Sequence, residues 1–155
     1  SLVGVPGVKA HRPAAGSGST MGGWYAAHGR YAPEELEGLS VTRFCQAVNA
    51  EGCPCSPGCN SALHLHPLLN TADIYGHGKP TAQVYDSSDP KAQTGELPVA
   101  AAANARTICI PHFRKFDRPV IDRYVEAFRK VAANYRELLA GDGGRAVDGR
   151  FSFTH

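Results

Sequence analysis

An apolar stripe runs through Ile121, Tyr124, Val125, Phe128, Val131, Ala132, Tyr135, Leu138 and Leu139. Residues three and four apart share one side of a helix, so this spacing predicts a single long amphipathic helix. Asp117 or Arg118 stands where its cap belongs, and Pro119 sits in the first turn, where a missing N–H costs nothing. Glu126 and Lys130 can pair at i, i+4, and Gly141 ends the pattern. Such a helix needs a second layer to bury its apolar side, and the rest of the chain must supply it.

That layer has to come from short elements. Among 155 residues, 17 are Gly and 11 are Pro, which breaks most of the chain into brief segments. Residues 1–23 read as a linker continuing from an absent large domain, although Val3, Val5 and Val8 are compatible with a brief strand. Trp24–Tyr31 sets aromatic residues between breakers and predicts a strand, with Trp24, Ala26 and His28 on one face. Pro33 and Gly38 frame a loop. Ser40 is a good N-cap, and Val41, Phe44, Cys45 and Val48 recur at helical spacing up to Gly52, which suits a left-handed helix end. Cys53-Pro54-Cys55 predicts a second strand, near an edge because Pro54 has no N–H to donate. Ser56-Pro57-Gly58 turns the chain. Breakers dominate from Leu68 to Glu96, and a loop of that length is expected either to carry function or to be disordered. A short helix near Val99–Ala105 and a third strand at Thr107–Ile110 follow.

This order predicts an α+β fold, a small three-stranded antiparallel sheet with helices packed on one face. The domain is expected over residues 24–140, with 141–155 as a flexible tail. The formal charge of +2 is too small for a nucleic-acid or membrane surface, and no apolar run could span a bilayer. Five cysteines in no repeated framework, without a secretory apolar region, point to a reduced, cytoplasmic protein.

Chemistry-bearing residues concentrate in Ala50–Pro67, AEGCPCSPGCNSALHLHP. Cys53, Cys55, Cys59, His64 and His66 offer zinc-type ligands, so a small non-catalytic metal-binding module is one reading. Their C-x-C-x3-C and H-x-H spacing departs from paired C-x2-C knuckles, and core packing is the plainer role for Cys53 and Cys55. Cys59, in a Gly-Cys-Asn turn, is the best-placed nucleophile, but no base adjoins it in sequence. Cys45 and Cys109 read as core. His64 and His66, two apart on an extended segment, are expected to point the same way. His11, His28, His77, His112 and His155 read as ordinary.

The run GWYAAHGRYAPEELEGLSVTRFCQAVNAEGCPCSPG, then LHLHPLL, then ELPVAAAANARTICIPHF and the final helix, resembles a known enzyme segment. It is similar to the C-terminal small domain of the DegT/DnrJ/EryC1/StrS aminotransferases, fold type I pyridoxal-phosphate enzymes that aminate keto sugars and keto-inositols. The likeness lies in the order and spacing of motifs over nearly all of Leu2–Leu139. It implies a sugar or cyclitol substrate, a full-length homodimer, and pyridoxal phosphate held by the absent large domain. It also implies that Asn60, His64 and His66 bind substrate at the cleft. Where the family carries Tyr in its turn, this chain has Gly58-Cys59-Asn60. None of Lys9, Lys79, Lys91, Lys115 and Lys130 has the Ser-x-x-x-Lys context of the family's aldimine lysine. No Gly-rich turn opens a helix as a phosphate cradle. No cofactor is therefore expected on this segment, which is not expected to transaminate alone.

Overall fold

The computed structural model describes residues 2–11, 13–20, 26–70, 72–78, 96–113 and 115–144. Its strands are β1 (Val8–Ala10), β2 (His28–Tyr31), β3 (Ser56–Pro57) and β4 (Thr107–Cys109). They form one antiparallel sheet in the order β1-β2-β4-β3. The register pairs Val8 with Tyr31, Gly29 with Ile108, and Ser56 with Cys109. The α+β class and the antiparallel sheet agree with expectation, but the expected three strands are four.

The additional strand is β1, which lies inside the stretch expected to be a linker. Val5 and Val8 are buried there. A three-residue strand owes its stability to its partner rather than to its own pattern. Gly7 permits the approach: its φ is +76°, and a Cβ there would collide with Leu36. Its N–H donates to Glu35 Oε2 at 2.9 Å, and its carbonyl accepts from the Ala32 N–H at 2.9 Å. Glu35 also pairs with Lys9 at 2.6 Å.

The second expected strand is displaced. Cys53–Cys55 is not paired in the sheet, and pairing begins at Ser56. Asn49 is the reason. Its Oδ1 accepts from the Cys55 N–H at 2.9 Å and its Nδ2 donates to the Cys55 carbonyl at 2.8 Å, so the helix end satisfies this backbone. The first expected strand is paired from His28 onward, and Trp24 lies outside the described residues. Pro33–Leu36, expected as loop, is a 3-10 turn that seats Leu36 fully in the core.

The helices are α1 (Val41–Ala50), α2 (Pro67–Asn70), α3 (Pro98–Ala102), α4 (Arg118–Ala133) and α5 (Arg136–Leu139). Ser40 caps α1, its Oγ accepting from the Arg43 N–H at 3.1 Å. Asp117 caps α4, accepting from the Val120 N–H at 3.1 Å. The long terminal helix expected as one piece breaks at Asn134. Its N–H and its Nδ2 both turn back to the Lys130 carbonyl, at 3.1 and 2.8 Å. Tyr135 Oη then donates to Glu37 Oε1 at 2.7 Å, and Arg136 Nη2 reaches the same oxygen at 2.8 Å.

Tyr31, Phe44 and Phe128 join sheet, α1 and α4 through ring contacts of 5.3 and 6.0 Å. All three are buried, and the Tyr31 phenol donates to the Leu39 carbonyl at 2.7 Å, so burial leaves it satisfied. The start of the expected tail is docked. Asp142 accepts from the Ser40 N–H and Oγ, each at 2.6 Å, and from the Gly144 N–H at 3.1 Å. Residues 145–155 lie outside the described residues. No helix among the described residues is long and apolar enough to cross a membrane.

Candidate functional site

β3 delivers the chain to the segment that carries the expected site. The Gly58 N–H donates to the Thr107 carbonyl at 2.8 Å, the last bond to β4, and Gly58 turns with φ of +84°. Cys59 is then tied across the sheet. Its N–H donates to Asn104 Oδ1 at 2.8 Å, and its Sγ lies 3.1 Å from the same oxygen and 3.5 Å from the Asn60 carbonyl. Both thiol partners are amide oxygens, too weakly basic to take the proton of a nucleophilic Cys59. Asn60 is exposed.

His64 and His66 are not on an extended segment. Leu63–Leu65 forms a 3-10 turn, with the Leu65 N–H on the Ala62 carbonyl at 2.9 Å and the His66 N–H on the Leu63 carbonyl at 3.0 Å. With about three residues per turn, positions two apart diverge, so His64 and His66 are not held on one face as expected. Their backbones are clamped by Asn70, whose Nδ2 donates to the His64 carbonyl at 3.0 Å and the His66 carbonyl at 2.8 Å. His66 Nδ1 accepts from the Leu68 N–H at 3.2 Å, which places the proton of a neutral ring on Nε2. Both histidines are half-buried, while Leu63, Leu65 and Leu68 are 71%, 52% and 49% exposed. The leucines, rather than the histidines, face outward. Within this segment the structure rigidifies His64 and His66 together through Asn70 and ties Cys59 separately to Asn104.

Of the other proposed metal ligands, Cys53 and Cys55 belong to the core. Among the described residues, no three His, Cys, Asp or Glu side chains converge as a metal ion would require. A cleft of about 590 Å³ opens where β3 and β4 diverge. Pro54, Cys55, Ser56, Cys109, Pro111 and His112 line it, and Asn60, His64 and His66 are not among its described lining. The His112 ring is held there by the Ala27 N–H, which donates to Nε2 at 2.7 Å. A second, largely apolar hollow of about 560 Å³ lies against Leu2, Val3, Val8, Ala10, Ala27 and Ile110, the last of which lines both. The loop expected from Leu68 to Glu96 is partly ordered by Asp73, which accepts from the His77 N–H at 3.0 Å; residues 79–95 lie outside the described residues.

Sequence reasoning missed three positioning residues, Asn49, Asn70 and Asn104. Asn70 follows His66 by four residues in a segment ending in a helical turn, a local signal that was available. Asn104 is 45 residues from Cys59, and nothing local marks the pairing.

Comparison of the chain with known protein families, with curated proteins and with solved structures found no match.

Proposed function

We propose that this chain is the C-terminal small domain of a pyridoxal-phosphate-dependent aminotransferase of the DegT/DnrJ/EryC1/StrS type, acting on a keto sugar or keto-cyclitol within a larger cytoplasmic homodimer. The supporting observation is the order of elements. A strand leads through Pro33–Leu36 into a capped helix closed at Gly52, then a two-residue strand and turn, the His64–His66 segment, β4, and a long terminal helix. That is the order on which the sequence resemblance rests. The outward leucines beside the histidines suit a surface covered by another domain. In this reading Asn60, His64 and His66 line the edge of the substrate pocket, and Asn70 fixes the two histidines there.

Two of the lysines among the described residues do not suit the cofactor. Lys9 is paired with Glu35 at 2.6 Å and Lys130 with Glu51 at 2.7 Å, both at the surface, whereas a Schiff-base lysine needs a neutral amine in a protected site. The N-termini of α1 and α4 are already occupied by the carboxylates of Asp142 and Asp117, so neither is an open cradle for a phosphate. The cofactor and its chemistry belong, in this proposal, to the large domain. Incubation with pyridoxal phosphate followed by borohydride is expected to leave the chain's mass unchanged. A stoichiometric reduced adduct on one lysine would overturn the assignment, and the coding sequence upstream of Ser1 should encode an α/β domain with the aldimine lysine.

A further inference from the structure

The register of β3 and β4 explains why a cleft opens between them. The Gly58 N–H bonds the Thr107 carbonyl, and Ser56 stands opposite Cys109, so hydrogen-bonded pairs fall at every second residue. The next such pair would set Pro54 opposite Pro111. A ladder needs an N–H from each residue there, and proline has none. The Cys55 backbone faces the other way, onto Asn49 at 2.8 and 2.9 Å, so alternation turns the Pro54 carbonyl toward β4. By the same alternation the Pro111 carbonyl turns toward β3, because the Ile110 N–H is given to the Ala27 carbonyl on β2's side. Both prolines line the cleft, and among the described residues nothing donates a hydrogen bond to either carbonyl. His112 adds a donor. Its Nε2 accepts from the Ala27 N–H at 2.7 Å, so a neutral ring carries its proton on Nδ1. No Asp, Glu, Lys or Arg is among the cleft's described lining.

We propose that this cleft binds a neutral polyhydroxylated ring, a sugar or cyclitol, whose hydroxyls donate to the Pro54 and Pro111 carbonyls and accept from His112 Nδ1. A hydroxyl both donates and accepts, so neighbouring hydroxyls on one ring can meet carbonyls and an N–H together. The other ligand classes fit less well. An anion would face two carbonyl oxygens, a cation would find no carboxylate to offset its desolvation, and an apolar body would leave both carbonyls unpaired. Ala26 and Ile110 supply apolar wall for the C–H faces of such a ring. The site is separate from Asn60, His64 and His66, and it does not depend on the aminotransferase assignment.

The test titrates the full chain, isotopically labelled for nitrogen NMR, with myo-inositol and separately with D-glucose. Binding on the order of millimolar is expected for a small polar ligand in an open cleft. The His112 Nδ1 resonance and the Ala27, Ser56 and Cys109 amides should shift saturably, while the amides of residues 63–66 stay in place. Pro54→Ala combined with Pro111→Ala supplies the two missing donors, so the ladder should extend across the cleft. That variant should melt no lower than the parent and bind at least about tenfold more weakly. No saturable shift in the parent chain with either polyol would overturn the proposal, whether or not the double variant folds. Shifts confined to residues 63–66 would overturn it as well, by moving the polyol to the other segment. Unchanged affinity in a folded double variant would remove the role of the carbonyls, and tighter binding of gluconate or glucosamine than of glucose would rule out a neutral ligand.

Discussion

Ser40 makes three contacts at one corner of the molecule. Its Oγ accepts from the Arg43 N–H and donates to Asp142 Oδ1, while its own N–H donates to Asp142 Oδ2. A carboxylate at this end of α1 also meets the positive end of the helix dipole. The cap was legible because Ser before an apolar-periodic run is a local signal. Its partner was not, because Asp142 lies 102 residues away among glycines that read as tail. Burial opposes ionisation of Asp142, but the bonds from Ser40 and Gly144 outweigh it, and the carboxyl is held below its usual range. A group whose folded pKa is depressed adds stability above its unfolded value, near 4, and loses it as pH falls through the folded value. The side chain is near the surface, so the whole effect should be on the scale of a cap, about 1 kcal/mol. Asp142→Asn is therefore expected to lower stability at neutral pH and to narrow its difference from the parent in acid. Urea titrations at neutral pH and near pH 3 check this. Parallel loss in both proteins would show that the contact carries no charge-dependent stability.

At the scale of elements, legibility followed the range of the causes. α1 and α4 are written in spacing and caps within a few residues, from Ser40 to Gly52 and from Asp117 to Val131. β1 and β3 hold three and two residues and exist through register with β2 and β4, so neither has a pattern of its own. The end of the terminal helix failed for a subtler reason: the apolar stripe continues past Asn134, but that side chain competes for the Lys130 carbonyl. What the stripe did identify is the side of α4 that meets α1. Phe128 is 1% exposed and touches Phe44 at a ring distance of 6.0 Å. Phe128→Ala should cost about 3–5 kcal/mol, a large part of the roughly 5–15 kcal/mol typical of a domain. Phe116, 80% exposed ahead of the same helix, gives the control, with an expected change within about 0.5 kcal/mol. Equal effects in chemical denaturation would mean that α4 does not pack on α1 as described.

Across the whole molecule, the sheet, α1 and α4 share one core, while the 60–70 segment and α3 carry exposed apolar side chains. The proposed site residues could be picked from the sequence only by type, because Asn and His at a strand exit are the polar groups that loops use. Their geometry was not, because the 3-10 turn at Leu63–Leu65 turns the leucines outward instead. This inversion gives the proposed domain assignment a specific consequence. Leu63 and Leu68 have little to lose in the chain alone, so Leu63→Ser and Leu68→Ser should each change its stability by less than about 0.5 kcal/mol. In the full-length protein a covering domain would bury them, and each fully buried leucine is worth about 1.5–3 kcal/mol. The same substitutions should there lower the melting temperature and loosen the small domain, seen as faster proteolysis between the two domains. His64→Ala and His66→Ala should divide differently, reducing turnover or raising KM while the cofactor spectrum stays unchanged, since Asn70 bonds their carbonyls rather than their rings. A full-length protein indifferent to the leucine changes would leave this face uncovered and remove the structural support for the domain assignment. Leucine sensitivity together with unaltered kinetics in both histidine variants would keep the assignment and move the substrate site elsewhere.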